Sequence, residues 1–558
     1  MANEDQSCWI TYNGEFYNFQ EYRQELEQSG HVFQSHCDTE TILHLYEEHG
    51  IEKTLSRMNG MFALGLWDNR QKTLILARDR VGKKPLYYAV KNGGIVFASE
   101  LKAIYASGLI DSGQLDEQAL AESLISGMPF HDRTMFSDIR ALPAGHYAIW
   151  KNGRLDVRSY YRNPFEQPVS PLRSIDDWAD ELDELLVDAI RLRLVADVPV
   201  GLFLSGGVDS SLVAALASRR LNQPIQAYCI SFAEEGYNES VYARSMADYL
   251  GLPITVMPAA ESNRELFEKI ASHIDQPLGD ASLVPTYLVS KSAHDAGVKV
   301  VLTGDGGDEL FGGYEGYRTG VKFWGTSAEK ALIRQQRSMR EGLWEWRTKT
   351  RGFERGFITL QNQFSFKHRL KMYRSPMRAL AASHKAMAWR LGVLARVRHR
   401  PVLDRMQYSD MQSMMIDDIL RKVDLMSMAN ALECRSPLLD YRVLELASRL
   451  GFADKIDPGG RGKRLLRHLL GRYVPAELYE RPKMGFCMPW ETTCHGAYAD
   501  DLKNRWRVCY MPHLRPDAGD WVFGQEGVGG MFRKWNAFSH LVFFEKYRQW
   551  CLPDVDHK

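Results

Sequence analysis

A loop of glycine and serine follows a short apolar run near the middle of the chain. The loop is Ser205-Gly206-Gly207-Val208-Asp209-Ser210-Ser211, and the run before it covers residues 198–204. The apolar run predicts a buried strand, and residues 211–221 predict a helix. A glycine turn between a strand and a helix lets backbone N–H groups point inward, where the helix start adds positive potential. The loop therefore predicts a phosphate site, although no Gly-Lys-Ser/Thr of the Walker type closes it.

A second loop carries acids as well as glycines, and it follows another apolar run at residues 298–302. It reads Thr303-Gly304-Asp305-Gly306-Gly307-Asp308-Glu309-Leu310-Phe311-Gly312-Gly313-Tyr314. Acids in this position suit a Mg²⁺ ion that bridges phosphates, or a carboxylate that orients a reacting group. Taken alone, the loop is also compatible with a calcium-like turn or an irregular connection.

Strands that alternate with helices must position these two loops. The predicted strands are 198–204, 225–232, 254–257 and 298–302, and the predicted helices are 177–195, 211–221, 239–250, 262–273 and 283–296. This alternation is typical of a doubly wound parallel sheet. Ligands of such sheets lie at the carboxyl ends of the strands, so both loops are expected at one edge.

The rest of the chain has a different pattern on each side of this region. Up to residue 161 we predict short strands with one or two helices. The strands are 61–67, 73–77 and 94–98, and the segments with helical periodicity are 19–29 and 38–49. Asn13-Gly14-Glu15 is predicted to be a turn. Residues 163–174 predict a linker. From about residue 323 strand signals vanish, which predicts a helical C-terminal portion. Its Arg- and Lys-containing stretch at 330–400 is interpreted as a solvated, salt-bridged face in preference to a nucleic-acid surface.

Composition excludes several classes of protein. A chain of 558 residues suggests two to four domains, and 70 basic against 70 acidic residues give no net charge. This balance argues against a nucleic-acid or membrane-surface partner. No apolar stretch is long enough to span a bilayer. The eight cysteines are scattered without a CxxC pair, which indicates neither a zinc site nor a disulfide framework and favours a cytoplasmic protein.

Together with the two loops, further motifs resemble the glutamine-hydrolysing asparagine synthetase family. Those downstream are KVDLMSMA (422–429), ECRSPLLD (433–440), GKRLLR (462–467) and RPKMGF (481–486). Those of the N-terminal part are YNGEFYN (12–18), CDTE (37–40), ARDRVGKKPLYY (77–88) and FASELK (97–102). The resemblance implies an α+β part followed by an α/β part. Residues 1–162 would form a truncated glutaminase sandwich of the N-terminal-nucleophile type, and residues 175–558 an ATP pyrophosphatase domain.

The resemblance also implies a reaction and its residues. Aspartate would attack the α-phosphate of ATP to give β-aspartyl-AMP and pyrophosphate, and ammonia would then release asparagine and AMP. Asp305 would support adenylate formation, and Lys463 would meet the developing charge of pyrophosphate, with a solvated helix lysine as the alternative. Asp424 would face the active site, or would serve in a cap or an ion pair. ATP and pyrophosphate would contact Leu204, Ser205, Gly206, Gly207, Asp209, Ser210, Ile230, Thr303 and Gly304, with Mg²⁺ on Asp209 and Asp308. Homodimers are common in such enzymes, and the sequence leaves the oligomeric state open.

The N-terminus departs from the family pattern. The family hydrolyses glutamine with an N-terminal cysteine, whereas Ala2 follows Met1 here, and Cys8 precedes an apolar strand without a free amine. Asn13, Gly14, Glu15 and Asp38 resemble glutamine-contacting positions and remain. We therefore expect a chain that begins inside the domain, with an inactive glutaminase and nitrogen from ammonia. A start placed too far downstream and a natural short form both explain this beginning.

Two other functions stay open. A related adenylating amidotransferase could act on another carboxylate, because no motif identifies the acid. An inactive fragment with a binding role would be expected to carry a broken pyrophosphate loop, and the loop here is intact.

Overall fold

A computed structural model of the chain describes residues 1–110, 113–168, 173–232, 238–259, 263–332, 352–382, 385–481, 494–509, 511–525 and 528–548. These residues form two compact units. The first contains Met1–Asp116 and Phe130–Asn163, and the second contains Glu117–Pro129 and Pro164–Arg548. The boundary at Asn163 falls at the start of the predicted linker, whose residues 169–172 lie outside the described ranges.

The first unit is built on two antiparallel sheets. One has the strand order β1-β2-β3-β7-β8 and the other β5-β4-β6. The strands are β1 (Cys8–Phe16), β2 (Gly60–Asp68), β3 (Thr73–Arg78), β4 (Tyr87–Lys91), β5 (Gly94–Ala98), β6 (Arg140–Ala141), β7 (His146–Lys151) and β8 (Arg154–Ser159). The helices among its described residues are α1 (Gln20–Gln28), α2 (Asp38–Arg57) and α3 (Leu101–Ala106).

Apolar side chains hold these sheets in layers. Leu74 and Leu76 of the larger sheet share a buried cluster with Leu86 and with Phe97 of the smaller one. Gly65 belongs to this contact, because a Cβ there would lie 2.4 Å from the Phe97 ring. On its other face the larger sheet packs against α2 through a second cluster that includes Leu55.

Three predictions for this unit are corrected. The predicted turn at Asn13-Gly14-Glu15 is wrong, since these residues lie inside β1 and pair with β2. Gly14 adopts a φ of +154°, and a Cβ there would lie 2.0 Å from the carbonyl oxygen of Met61, so glycine serves close strand pairing rather than a turn. The unit also has three helices rather than one or two among its described residues, and α2 runs past the predicted end at residue 49 with a break at Gly50.

The second unit carries the predicted parallel sheet. Its order is β11-β10-β9-β12-β13, and every pairing is parallel. The strands are β9 (Val200–Phe203), β10 (Gln226–Ser231), β11 (Ile254–Pro258), β12 (Val300–Leu302) and β13 (Glu433–Arg435). The order reverses beside β9, so the carboxyl ends of β9 and β12 flank the switch point where ligands of such sheets bind.

Helices surround this sheet and form the C-terminal portion. Before residue 333 they are α4 (Glu117–Ser126), α5 (Ile175–Arg193), α6 (Val208–Arg219), α7 (Ser240–Leu250), α8 (Arg264–His273), α9 (Leu283–Asp295), α10 (Gly307–Phe311), α11 (Glu315–Trp324) and α12 (Ser327–Leu332). Later ones are α13 (Phe353–Leu360), α14 (Phe366–Met372), α15 (Ser375–Ala382), α16 (Lys385–Arg396), α17 (Val402–Gln412), α18 (Arg421–Met428), α19 (Tyr441–Arg449), α20 (Phe452–Lys455), α21 (Arg464–Leu470), α22 (Gly496–Val508), α23 (Ala518–Phe523) and α24 (Val528–Lys546). Across the described ranges, no helix combines the length and apolar character needed to cross a membrane.

Local sequence explains where several helices start and stop. Ser174 and Asp177 form a reciprocal capping box at the start of α5. Gly251 ends α7 in the left-handed conformation with a φ of +69°, which glycine adopts without strain. These local signals agree with the predicted boundaries at residues 177 and 250 to within two residues.

The prediction of a strand-free region after residue 323 is wrong at one place. Glu433–Arg435 form β13 and pair in parallel with β12, with Val301 opposite Cys434. The segment Glu-Cys-Arg begins and ends with a charged residue and contains no apolar run. It becomes a strand because it pairs with β12, and not because of a local preference for strand. Its position matters because Ser436, the next residue, reaches the second loop.

Candidate active site

The first loop links β9 to α6, and the helix starts earlier than predicted. α6 begins at Val208 instead of residue 211, so Asp209 and Ser210 lie in its first turn rather than in the loop. The hydroxyl of Ser210 lies 3.1 Å from the hydroxyl of Ser205 and accepts from the Ser205 N–H at 3.2 Å. These bonds close the turn and leave its backbone at the start of a helix of 12 residues.

Glycine is required at the centre of this loop. Gly206 has a φ of +73°, and a Cβ there would lie 2.7 Å from the backbone of Tyr242. Gly207 has an ordinary φ of −79° and caps α6. The loop therefore passes close to α7 at Gly206, and only a residue without a side chain fits there.

The second loop packs directly against the first. It follows β12, and Gly304 approaches so closely that a Cβ would lie 3.0 Å from both Asp209 Cβ and Ser210 N. Gly307 lies even closer to the first loop, since a Cβ there would lie 2.3 Å from Asp209 Oδ1. The structure thus brings together the two loops that the sequence placed at one sheet edge.

Asp305 is held by hydroxyl groups from two elements. Its Oδ2 accepts from Thr303 Oγ1 at 2.6 Å and from Ser436 Oγ at 3.4 Å. The two hydroxyl oxygens lie 2.9 Å apart. This arrangement fixes the carboxylate at the carboxyl end of β12, beside the residue that follows β13.

Lys463 connects the two loops through a three-residue charge cluster. Its Nζ donates to Asp209 Oδ2 at 2.5 Å and lies 2.9 Å from Asp308 Oδ1. The side chain is buried, with 8% of the residue exposed, so Lys463 is not a solvated helix lysine. Lys463 sits in the left-handed conformation just before α21, which turns its side chain toward the loops.

The charges in this cluster support one another. Burial by itself would lower the pKa of Lys463, but the carboxylates of Asp209 and Asp308 raise that pKa above its usual value. The lysine therefore stays protonated at neutral pH. Gly313 makes room for the contact, because a Cβ there would lie 2.0 Å from Asp308 Oδ1 and 2.2 Å from Lys463 Cε.

The residues predicted to line the nucleotide pocket lie on neighbouring strands. Leu204 follows β9, is buried, and donates its N–H to the Tyr228 carbonyl at 3.0 Å. Ile230 is buried near the end of β10. Both stand at the carboxyl edge of the sheet, on the β10 side of the first loop.

Sequence reasoning missed two residues that touch this region. Arg481 donates from Nη2 to the Ser205 carbonyl at 3.2 Å and to Glu239 Oε1 at 2.7 Å. Glu309 is buried beside Asp308 and accepts from the Tyr314 hydroxyl, and burial together with the Asp308 charge raises the pKa of Glu309 to about 7. Both belong to motifs quoted above, but the spacing of residues in those motifs did not single out Arg481 or Glu309 as residues that contact the site. Residues 482–486 of the Arg481 motif lie outside the described ranges.

A second buried lysine lies in the KVDLMSMA motif. Lys422 Nζ donates to Asp280 Oδ2 at 2.9 Å and to Ser282 Oγ at 2.7 Å. Burial opposes its charge, but the carboxylates of Asp280, Asp418 and Asp305 raise the pKa of Lys422 above its usual value. Asp424 lies two residues further along α18 and is half-buried, and its predicted role stays a prediction.

In the first unit, the residues predicted to contact glutamine lie on two adjoining elements. Asn13 donates from Nδ2 to Ser99 Oγ at 3.0 Å. Asp38 begins α2, and its Oδ2 accepts from the Phe16 N–H at the end of β1 at 2.8 Å. Gly14 and Glu15 lie between these positions on β1. The structure thus brings the strand and the start of the helix together.

Two family models match the chain. The model described as asparagine synthase matches residues 181–534, and the glutamine amidotransferase domain model matches residues 1–161. The first match alone covers more than half of the chain.

Curated relatives agree with these matches. Asparagine synthetase [glutamine-hydrolyzing] 1 of Bacillus subtilis (strain 168) is 32% identical over 506 residues, which cover 88% of this chain and 77% of that protein. Amidase chyE of Penicillium rubens is 28% identical and covers 87% of this chain and 78% of its own length. Asparagine synthetase [glutamine-hydrolyzing] 3 of Arabidopsis thaliana is 35% identical over 56% of this chain and 50% of that protein.

Solved structures add nothing to this assignment. A glutamine phosphoribosylpyrophosphate amidotransferase from B. subtilis covers 54% of this chain and 62% of its own, with 14% identity and a TM-score of 0.22. The family models and the first relative decide the matter: the chain belongs to the asparagine synthetase family of glutamine-hydrolysing carbon–nitrogen ligases.

Proposed function

We propose that the second unit is an ATP-dependent amide ligase that converts L-aspartate into asparagine through β-aspartyl-AMP, with release of AMP and pyrophosphate. The observation that carries this proposal is the buried Lys463, whose ammonium joins Asp209 of the first loop to Asp308 of the second. A cation fixed between two loops at a sheet switch point suits a reaction that develops negative charge on a leaving phosphate.

The first loop supports the binding of pyrophosphate. The Gly207 N–H donates to Ser205 Oγ at 3.2 Å, and Ser205 and Ser210 place hydroxyl groups beside the start of α6. N–H donors at the start of a helix stabilise phosphate oxygens. Leu204 and Ile230 would contact the nucleotide on the side of β10.

Asp305 is proposed to act on the acyl side of the reaction. Its carboxylate accepts hydrogen bonds from Thr303 of the second loop and from Ser436, which follows β13. The neighbouring Gly304 packs against the first loop. A fixed carboxylate orients the attacking acid and the ammonia that follows, so that bound reactants are already aligned. Asp305 and Asp308 belong to the same loop. The proposed acyl site at Asp305 and the proposed pyrophosphate site at Asp308 are therefore only a few residues apart.

The donor set suits Mg²⁺ at Asp209 and Asp308. The two carboxylates lie on the two loops, and one oxygen of each already contacts Lys463 Nζ, so Mg²⁺ would use the second oxygen of each carboxylate. Oxygen ligands of this kind are those that Mg²⁺ prefers, together with oxygens of a bound phosphate. Mg²⁺ held there would neutralise phosphate charge, while Lys463 stays protonated beside it.

The first unit supports a proposal for the nitrogen source. The family hydrolyses glutamine, and Asn13, Gly14, Glu15 and Asp38 are proposed to contact glutamine. Cys8 is an unsuitable nucleophile because it is buried, and burial raises the pKa of its thiol to about 11. We therefore propose that this polypeptide takes free ammonia. The cysteines of the described residues are all free thiols, which supports a reducing cytoplasm as the place of reaction.

A second candidate is amidation of a different carboxylate. Similarity over 87% of the chain to a relative named an amidase supports it, because the same two-part chain is not restricted to proteins named asparagine synthetase. Chemistry on another acid would use the same loops, so only the acyl pocket would differ.

The first experiment measures pyrophosphate release from ATP and Mg²⁺ with ammonium and either aspartate or no acid. Release that needs aspartate, with asparagine and AMP formed in equal amounts, is the expected result. Glutamate and small acids other than aspartate serve as matched alternatives in the same assay. Release that depends on another acid would favour the second candidate. No release with any acid, from protein that unfolds cooperatively, would contradict both.

A further inference from the structure

A compact cluster of two histidines and two glutamates lies in the first unit, apart from the residues described above. It contains Glu4, His31, His44 and Glu47 and is called the His–Glu cluster below. One donor atom from each residue lies within 4.8 Å of the donor atoms of all the others. We propose that the His–Glu cluster binds a divalent transition-metal cation, for which Zn²⁺ is the probe.

The direction of the side chains carries this proposal. Both histidines turn Nδ1 toward the same atom, Glu47 Oε2, at 3.3 Å from His44 and 4.0 Å from His31. Glu4 Oε2 comes within 3.8 Å of His44 Nδ1. Two imidazole nitrogens and two carboxylate oxygens thus converge on one small volume. Imidazole and carboxylate are both ordinary zinc ligands, and tetrahedral Zn²⁺ holds its ligand atoms about 3.4 Å apart.

The outer ring nitrogens face carboxylates, as they do in metal sites. His31 Nε2 lies 3.4 Å from Glu48 Oε2, and His44 Nε2 lies 3.8 Å from Glu40 Oε1. His44 is fully buried, and its Nε2 makes no hydrogen bond within the described part of the chain. A carboxylate behind each ligating histidine orients the ring and strengthens it as a ligand.

Glu47 is also held in place from behind. Its Oε1 accepts from Asn3 Nδ2 at 2.7 Å, which leaves Oε2 directed at the two histidines. The rings themselves are packed, with centroids 4.8 Å apart, and Phe33 lies against His44. Glu47 and the two histidine rings are therefore fixed by packing and by the Asn3 hydrogen bond, whereas Glu4 approaches from an exposed position.

Two carboxylates within one small volume favour a cation as the occupant. Arg70 lies 4.0 Å from Glu47 Oε1, whereas both histidines face Oε2. A hydrogen bond between His44 Nδ1 and Glu47 Oε2 at 3.3 Å is the competing explanation of the arrangement. A bound cation would instead accept lone pairs from all four side chains at once.

The proposed site would have a structural rather than a catalytic role. Its ligands come from the turn before β1, the segment after α1 and the middle of α2. A cation there would tie the opening residues of the chain to α2. The cysteine pattern gave no sign of this site, because its ligands are histidines and glutamates spread over residues 4–47.

The test is zinc binding by the 558-residue protein after chelator treatment, measured by isothermal titration and by metal content. We expect one tightly bound Zn²⁺ per chain that is lost, or bound at least about 10-fold more weakly, in His31→Ala and in Glu4→Gln. Glu4 has an exposed side chain and its replacement keeps the shape, so this variant separates loss of a ligand from loss of folding. His36→Ala, an exposed histidine outside the cluster, is the matched control and should bind as the parent does.

Two results would overturn the proposal. One is a parent protein that takes up no zinc, which would leave the hydrogen bond between His44 and Glu47 as the explanation of the cluster. The other is zinc binding of parental strength in both His31→Ala and Glu4→Gln, which would place the ion elsewhere, for example on the acids of the second unit.

Discussion

At the scale of residues, three side chains from distant parts of the chain form the centre of the candidate active site. Asp209, Asp308 and Lys463 are separated by up to 254 positions, yet two carboxylates meet one ammonium within 2.9 Å. All three are buried or half-buried, so the interaction is screened less than a surface ion pair would be. A lysine held in this way stays charged and stays in place, as the proposed departure of pyrophosphate requires.

Lys463 is the residue whose replacement tests this centre. Lys463→Ala should lower kcat/KM for ATP-dependent amide formation about 100- to 1,000-fold, because a fixed cation no longer meets developing charge. Lys463→Arg keeps the charge but not the shape, and it should retain more activity. Steady-state pyrophosphate release measures both.

Lys291→Ala provides the control for this prediction. Lys291 also pairs with an aspartate, Asp295, but on an exposed face of α9. Its replacement should leave kcat/KM within about 2-fold of the parent, since exposed ion pairs contribute little. Equal losses in Lys291→Ala and Lys463→Ala would contradict a special role for Lys463.

At the scale of elements, the sequence predicted the strands and helices of the parallel sheet, because apolar runs and glycine stops are local signals. β9 to β12 were placed within two residues of their ends. β13 was missed, since Glu433–Arg435 become a strand only by pairing with β12. The two loops were foreseen at one edge from topology. The contact of both loops with Lys463 could not be predicted from the spacing of residues in the sequence. The resemblance named the lysine, but no sequence pattern shows where its side chain points.

The position of α4 shows the same limit. Glu117–Ser126 precede residue 161, yet they pack in the second unit. Asn536 of α24 donates to the Ser123 carbonyl at 3.0 Å, and the Ile125 carbonyl accepts from the Gln363 N–H at 2.8 Å. Partners hundreds of residues away make these contacts, and a local pattern carries no information about them.

A buried histidine joins α4 to α24 and gives a pH-dependent test. His540 lies between the Ser123 hydroxyl and the Asn536 carbonyl, each at 2.8 Å, and burial lowers its pKa to about 4. The unfolded chain therefore binds a proton between pH 6.5 and 4 that the folded chain excludes. The contribution of His540 to the free energy of unfolding is therefore fully present above pH 6.5, and it is lost as the pH falls toward 4.

His540→Gln should remove that dependence. Between pH 7 and pH 5 the free energy of unfolding of the parent should fall by about 2 kcal/mol more than that of the variant. Urea unfolding at the two pH values measures the difference. Parallel losses in the parent and in His540→Gln would show that His540 is not the group responsible.

At the scale of the whole molecule, the two units carry separate chemistry. The second unit contains every residue of the two loops, Lys463 and Ser436, so the residues proposed for adenylation and amide formation all belong to it. The first unit contains the predicted glutamine contacts and the His–Glu cluster. We therefore expect a reaction that takes ammonia from solution to depend on the second unit alone, and one that takes glutamine to depend on both.

The nitrogen donor tests this division of labour in the 558-residue protein. Ammonium should support asparagine formation, whereas glutamine should not. The thiols of the first unit are poorly suited to attack an amide: burial raises the pKa of Cys8 to about 11, and Cys37 donates its thiol to Asp38. The measurement compares asparagine formed with each donor and, separately, glutamate released from glutamine.

Two variants make the outcome specific to these thiols. Cys8→Ser and Cys37→Ser should leave ammonium-dependent synthesis within about 2-fold of the parent, because neither residue lies in the second unit. Glutamate release by the parent that disappears in either variant would identify a working nucleophile and contradict the proposal. Ammonium-dependent synthesis that disappears along with it would instead show that the second unit needs the first, because a division into two independent chemistries requires one activity to survive the loss of the other.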